Sequence, residues 1–203
     1  DVEIYADIIC PWCYIGKKRL DAAFAARPHV TPRYIWRCFL LNPTMPSAGM
    51  DRQAYLIGKF GNTAKAVYGR IADAGLESSI AFNFGGIKRT PDSRKTHRYL
   101  LAAAAKGRDL SDAFFKAYFI DGRDIGDDDE LAKIAHEQGF PIDPDSLADP
   151  ALDRQIANDI EMSRQLRVDG VPFMIFVGQY AISGAHMPEH LIPAIDGCLV
   201  KPA

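Results

Sequence analysis

Two cysteines stand three positions apart in the stretch ADIICPWCYIGKKRL, residues 6 to 20 of a 203-residue chain. Sulfurs at that spacing have three uses: they open and close a disulfide, they supply half of a four-ligand metal site, or they pack as two small core residues. The surroundings separate these uses. An apolar run ends at Ile9 and a helical pattern begins inside the motif, so Cys10 falls where strand gives way to helix, beside unpaired backbone N–H groups and the positive end of a helix dipole. A thiolate is favoured there. The ordinary thiol pKa of about 8.5 is lowered by roughly one to several units in a Cys-x-x-Cys setting at a helix N-terminus. Cys10 is therefore the candidate nucleophile, and Cys13, one turn further on, is spaced to close a disulfide with it or to resolve a mixed one. Pro11 suits the first turn because its missing N–H would have had no partner. Structural zinc would want a second Cys/His pair at close spacing, but His29 and Cys38 are isolated and no second Cys-x-x-Cys exists, so no metal is expected.

The elements that must hold this pair are legible on either side of it. Residues 2 to 9 alternate Val2, Ile4, Ala6 and Ile8 with Glu3, Tyr5 and Asp7, as a strand does. Cys13, Gly16, Leu20 and Phe24 then share one helical face, up to about Arg27. Residues 33 to 41 are aromatic and β-rich and stop at Asn42-Pro43. Strand, helix and strand make a βαβ unit with parallel strands. From about 50 to 169 the patterns are helical, at 51–74, 93–107, 110–120, 128–138 and 151–168, with no convincing strand. Strand character returns at 173–177 and 180–184 around Gly178-Gln179, a hairpin, and a last helix over 188–199 carries Leu191, Ile195, Cys198 and Leu199 on one face. The fold class is α/β. Its domains are 1–41 plus 170–203, and an all-helical insertion over 42–169.

Bulk composition removes several function classes. The formal net charge is −2 and no basic run exceeds Lys17-Lys18-Arg19, so no nucleic-acid partner is expected. No apolar stretch approaches the roughly 18 residues of a membrane span, and no leader pattern opens the chain. The expected location is cytoplasmic, with a processed export signal left open because residue 1 is Asp rather than Met. Four cysteines, Cys10, Cys13, Cys38 and Cys198, are too few for a stapling framework. Neither a Gly-x-Ser-x-Gly motif, a phosphate loop nor a dinucleotide fingerprint occurs.

The stretch 6–20, together with DGVPFMIF (169–176), resembles the DsbA-like thioredoxin-fold oxidoreductases, and most of all their FrnE-like subgroup, related to 2-hydroxychromene-2-carboxylate isomerases and kappa-class glutathione transferases. RCFLLNP after the second strand, AFFKAYFIDGRDIGDDDEL in the insert and ISGAHM near the end extend the likeness along the chain. The resemblance implies a thioredoxin-like fold with a helical insertion. By position it makes Cys10 the exposed attacking cysteine, Cys13 the resolving one, and Val171-Pro172 a cis-proline loop facing the sulfurs. That loop would bar metals and present the Val171 backbone to an extended peptide or to glutathione, with Trp12 as an apolar lip; Pro11, Trp12, Val171 and Pro172 are the candidate substrate contacts. Relatives with isomerase or transferase activity typically carry serine at the first cysteine position, and both positions are cysteine here. Asp92-Ser93 stands where family members often show Asn-Thr, and its plainer role is a helix cap. The strong oxidants of the family carry a histidine inside the motif, so a milder redox poise is expected here.

The expected activity is thiol-disulfide exchange on a thiol or disulfide of a peptide, glutathione or a small molecule. No cofactor is expected beyond the redox-active disulfide, with glutathione as a candidate co-substrate, and the chain is a monomer or a homodimer. A glutathione-dependent isomerase or transferase is the second reading, and a non-catalytic module with incidental thiols the third. Asp7, three residues before Cys10, would disfavour a nearby thiolate or shuttle the Cys13 proton; a polar residue on the far face of the strand is the plain alternative. Cys38 and Cys198 read as core, His186 as surface, and Asp121, Asp124 and Asp127–Asp129 as capping residues rather than a calcium loop.

Overall fold

A computed structural model describes residues 1–199; residues 200–203, the end of the terminal segment assigned above, lie outside it. In chain order the elements are β1 (Val2–Ala6), α1 (Pro11–Ala25), β2 (Tyr34–Cys38), β3 (Met50–Asp51), α2 (Arg52–Phe60), α3 (Ala64–Glu77), β4 (Arg89–Thr90), α4 (Arg94–Ala104), α5 (Ser111–Phe119), α6 (Asp128–Glu137), α7 (Pro144–Ala148), α8 (Pro150–Gln165), β5 (Phe173–Phe176), β6 (Tyr180–Ser183) and α9 (Pro188–Leu199). One mixed sheet runs in the order β2-β1-β5-β6. The β1–β2 pairing is parallel, with Val2 opposite Tyr34 and Ala6 opposite Cys38, and β5 runs antiparallel to both β1 and β6. This is the strand arrangement that β-α-β followed by β-β-α requires.

Local chemistry explains where the elements depart from the periodicities. The first strand stops at Ala6 rather than Ile9 because Asp7 starts a turn: its carbonyl accepts from the Cys10 N–H at 2.9 Å and its carboxylate from the Ile9 N–H at 3.3 Å. The helical stretch over 51–74 is two helices, parted where Gly61 takes a positive φ of 52°. Strands β3 and β4 pair Met50 with Thr90 inside the segment read as strandless; two residues are too short to print a period. In the hairpin, Val177 leaves the strand for the turn, with φ 50°.

A single apolar core holds sheet and insert together. Ile4 and Ile8, Leu20 of α1, Phe114, Phe115 and Phe119 of α5, Leu131 of α6 and Leu191 of α9 belong to one buried cluster. Each such side chain stabilises the fold by roughly 1.5–3 kcal/mol on burial. The ring of Tyr14 on α1 stacks on Phe115 at a centroid distance of 5.0 Å. Lys17 Nζ, one residue beyond Gly16, donates to Asp21 at 2.7 Å and to Asp112 of α5 at 2.8 Å. The helix that carries the cysteine motif is thus gripped on its far side by the insert.

Candidate active site

Cys10 is the N-cap of α1, with extended backbone (φ −94°, ψ 112°), and its side chain makes no capping bond. A sulfur therefore occupies the place where a serine or aspartate oxygen usually meets the first-turn N–H groups. Pro11 begins the helix, so the turn carries one donor fewer. The Cys10 Sγ lies 3.8 Å from the Val171 carbonyl oxygen, and the Val171–Pro172 peptide is cis. The Pro172 carbonyl in turn accepts from the Gly184 N–H at 2.7 Å, which ties this loop to the end of β6.

One expectation is corrected: Cys10 is not exposed. Only 4% of it is accessible, whereas Trp12 beside it is 38% exposed. The carbonyl of Val171 lies against the sulfur, and Trp12, two residues on, is the solvent-exposed member of the motif. Close approach of Pro172 to α1 depends on Gly16. A Cβ built there would come within 2.6 Å of the Pro172 Cγ and 3.3 Å of the Met174 Cε. Gly16→Ala is therefore expected to lower stability by about 1–3 kcal/mol through overpacking, read by urea denaturation; an unchanged unfolding curve would show that the helix and the loop do not meet as described.

Cys13 is buried one turn inside the helix, with its sulfur beside that of Cys10. Burial first, then the Cys10 side chain, push its thiol well above the ordinary value; the Asp7 carboxylate adds to the rise and the Asp7 backbone opposes it. Cys13 is held as a protonated thiol at neutral pH. In a denaturant-free alkylation at pH 8 it is expected to react at least about tenfold more slowly than a free cysteine, and mass mapping of the modified residue checks this.

Asp7 does not lie on the far face of the strand. It is fully buried behind the cysteines, and its second carboxylate oxygen accepts from the Leu41 N–H at 2.8 Å. Facing it at 3.8 Å is Nε2 of His97 on α4, which is 4% exposed and makes no hydrogen bond. Burial would lower the imidazole, but the Cys38 and Asp7 side chains beside it outweigh that and raise its pKa to about 10. Sequence reasoning missed His97. Its one signal was weak: it sits three residues before Leu100, on the buried stripe of α4. The pair formed by Arg52 of α2 and Tyr68 of α3, joined by a hydrogen bond of 2.8 Å, was also missed, since no spacing rule links two residues across the break at Gly61. Asp92 accepts from the Arg94 N–H at 3.2 Å, but the N-cap of α4 is Ser93, one residue later than the cap the sequence implied, and it makes no side-chain capping bond.

A cavity of about 610 Å³ lies on another part of the molecule, between the sheet and α8, lined by Tyr5, Arg37, Asp159, Met162 and Phe173. Neither motif cysteine borders it.

Comparison with known proteins agrees with this geometry. A probable DsbA oxidoreductase of Streptomyces coelicolor shares 31% identity, superposes with a TM-score of 0.86, and is covered over 92% of its length by the whole of this chain. An uncharacterised protein of Bacillus subtilis, YwbO, is 24% identical over 194 residues, 91% of this chain and 90% of that one. The cytosolic disulfide reductase DsbM of Pseudomonas aeruginosa, at 17% identity, TM-score 0.63 and 98% coverage of both chains, shares the fold. A family model described as the DSBA-like thioredoxin domain matches residues 1–196, and the chain is a member of that family of thiol-disulfide oxidoreductases.

Proposed function

We propose that the protein catalyses thiol-disulfide exchange with Cys10 as the nucleophile and Cys13 as the resolving thiol. The observation that carries the reading is the juxtaposition at the start of α1: an uncapped helix N-terminus, a sulfur at the cap, a second sulfur beside it, and the Val171 carbonyl against the first. In the reducing direction, the Cys10 thiolate attacks a substrate disulfide, forming a mixed disulfide and expelling one substrate thiolate. Cys13 then loses its proton and attacks Cys10 Sγ, which releases the second substrate thiol and leaves a Cys10–Cys13 disulfide. Two electrons pass from the protein dithiol to the substrate; the reverse order oxidises a dithiol.

Deprotonating Cys13 is the awkward step, because burial favours its neutral form. Asp7 is the nearest buried carboxylate and accepts that proton in this scheme, with His97 behind it balancing charge. The substrate lies along the Val171–Pro172 backbone, against Pro11 and Trp12. The burial of Cys10, 4% exposed, favours small disulfides, glutathione and flexible peptides over disulfides buried in folded proteins.

The decisive experiment equilibrates the chain in glutathione buffers of graded ratio and counts disulfides by alkylation and mass spectrometry. A single Cys10–Cys13 disulfide forming with a two-electron dependence supports the reading. A stable glutathione adduct on Cys10, with Cys13 still a thiol throughout, would favour the glutathione-dependent transferase or isomerase instead.

A further inference from the structure

Residues 182–187, ISGAHM, run off the end of β6 and touch both the Val171–Pro172 loop and the helix that carries the cysteines. The Gly184 N–H donates to the Pro172 carbonyl at 2.7 Å. One residue on, the Ala185 carbonyl accepts from Arg19 Nη1, also at 2.7 Å. His186 Nε2 lies 2.8 Å from the Ser183 carbonyl oxygen and closes the turn around these two residues. Arg19 stands on α1 three positions after Gly16, so the two share one helix face. Gly16 leaves the room that Pro172 occupies, since a Cβ there would lie 2.6 Å from the Pro172 Cγ. The loop thus meets α1 at Gly16, and the chain that backs the loop is gripped by the same helix one turn further on.

The guanidinium that makes this grip is held from the other side by the insert. Arg19 is buried, and besides the Ala185 carbonyl it reaches two acceptors at the end of α3: Nε donates to Ser78 Oγ at 2.9 Å and Nη2 to Glu77 Oε2 at 3.3 Å. Ser78 Oγ donates in turn to the Ala74 carbonyl at 3.0 Å, one turn back in that helix. A planar guanidinium has fixed donor directions, so it holds its acceptors at set distances and angles where a flexible ammonium would not. The Glu77 side chain is mostly in water, and its attraction is correspondingly screened. An ion pair of that kind could form without burying the arginine. What burial adds is the bond to the Ala185 carbonyl, behind the loop that faces Cys10.

We propose that Arg19 is a positioning residue for disulfide exchange: by fixing Gly184 and Ala185 it fixes the Val171–Pro172 backbone against Cys10, and so sets the preference of the site for peptide disulfides. The inference rests on Cys10 being the nucleophile. The Val171 carbonyl oxygen lies 3.8 Å from Cys10 Sγ, so the height of the loop decides whether an extended segment can lie along Val171 while its own disulfide meets the sulfur. A peptide disulfide needs both contacts at once. A small disulfide needs only the sulfur. Strand-like pairing draws its affinity from main-chain hydrogen bonds, and a misplacement of about 1 Å costs up to about a hundredfold in rate. Arg19 touches no reacting atom, and the covalent steps at Cys10 and Cys13 proceed without it.

The test compares the full-length chain with Arg19→Gln on two disulfides: a linear cysteine peptide oxidised to its dimer, and bis(2-hydroxyethyl) disulfide, which has no backbone to pair. Arg19→Gln is expected to slow exchange with the peptide about tenfold and with the small disulfide less than about twofold. Arg19→Lys, which reaches one acceptor at a time, recovers part of the peptide rate. Ser78→Ala keeps the arginine and removes one brace, and slows the peptide about two- to threefold. Amide hydrogen exchange reads the loop directly: in Arg19→Gln the Gly184 N–H exchanges at least about tenfold faster, while the amides between β1 and β5 keep their rates. Arg27→Gln is the control, since it breaks a two-bond link from just past α1 to Asp196 and leaves the ratio of the two disulfide rates unchanged. Equal slowing on both disulfides, an undiminished peptide rate, or Gly184 exchange rising only in step with the β1 amides overturns the positioning role while leaving Cys10 as nucleophile. If the unmodified chain exchanges with neither disulfide at Cys10, the proposed function fails instead, and the Gly184 amide still tells whether Arg19 holds the loop.

Discussion

Cys13→Ser is expected to arrest the reaction at the mixed disulfide, and Cys10→Ser to prevent it from starting. Both should lower turnover of a dithiol substrate by about three orders of magnitude or more, since residues that act in sequence on one covalent intermediate are each indispensable. The two variants differ in what accumulates. Cys13→Ser keeps the sulfur at the helix cap, so incubation with glutathione disulfide leaves one glutathione on Cys10, visible as a mass increase that reductant reverses. Cys10→Ser leaves only the Cys13 thiol in the motif, which burial holds protonated, and no adduct forms there. The physical basis is the division of labour between positions three apart on the chain: one sulfur at an open helix terminus, the other shielded inside it. Turnover of dithiols by Cys13→Ser at an undiminished rate would rule out a resolving role and return the chain to the transferase reading.

The second large effect falls on stability. Removing Asp7 takes the facing carboxylate away from a buried imidazolium and strips an acceptor from the Ile9 and Leu41 N–H groups. Breaking a buried ion pair from one side costs about 3–5 kcal/mol, and Asp7→Ala is expected to fall in that range by urea unfolding. Asp7→Asn, which keeps one acceptor oxygen, should cost less. The pair also sets a pH dependence whose sign is fixed. The His97 pKa is raised in the folded chain, to about 10, against about 6.5 when unfolded. Folding therefore takes up a proton between these values, and the stabilisation, complete below about pH 6.5, is lost progressively as pH rises toward 10, at up to about 1.4 kcal/mol per pH unit. Between pH 7 and about 7.5 the cysteines of the unfolded chain are still mostly protonated, so the slope there belongs chiefly to the histidine. His97→Gln should flatten it. A slope unchanged in that variant would mean that His97 is neutral in the folded protein, and the partnership with Asp7 would then be one of packing alone.

Both expectations separate what local sequence controls from what it does not. The strand-to-helix junction at Cys10, the helical face of Gly16, Leu20 and Phe24, and the β-β-α ending were legible because they rest on periodicities and caps that act within one or two turns of chain. The order of those elements agreed with the thioredoxin-like fold that the family resemblance implied. Asp7 was suspected from its place three residues before Cys10. Whether it faced water or the interior depended on the turn it makes with Ile9 and Cys10, which shortens the strand and swings the carboxylate inward.

Other features belong to the tertiary structure alone. His97 meets Asp7 across 90 residues of sequence, Arg52 meets Tyr68 across a helix break, and Cys10 is buried rather than open, with the carbonyl of Val171, 161 residues away, brought to the sulfur. Chain spacing carries no information about such encounters, since they arise when helices and loops pack against a common core, and that packing is set by the shapes of many side chains at once. The sequence alone therefore determined which atoms could do the chemistry and which end of a helix would hold them. Only the folded chain decided how deeply the first sulfur is sheltered and what charge stands behind the second.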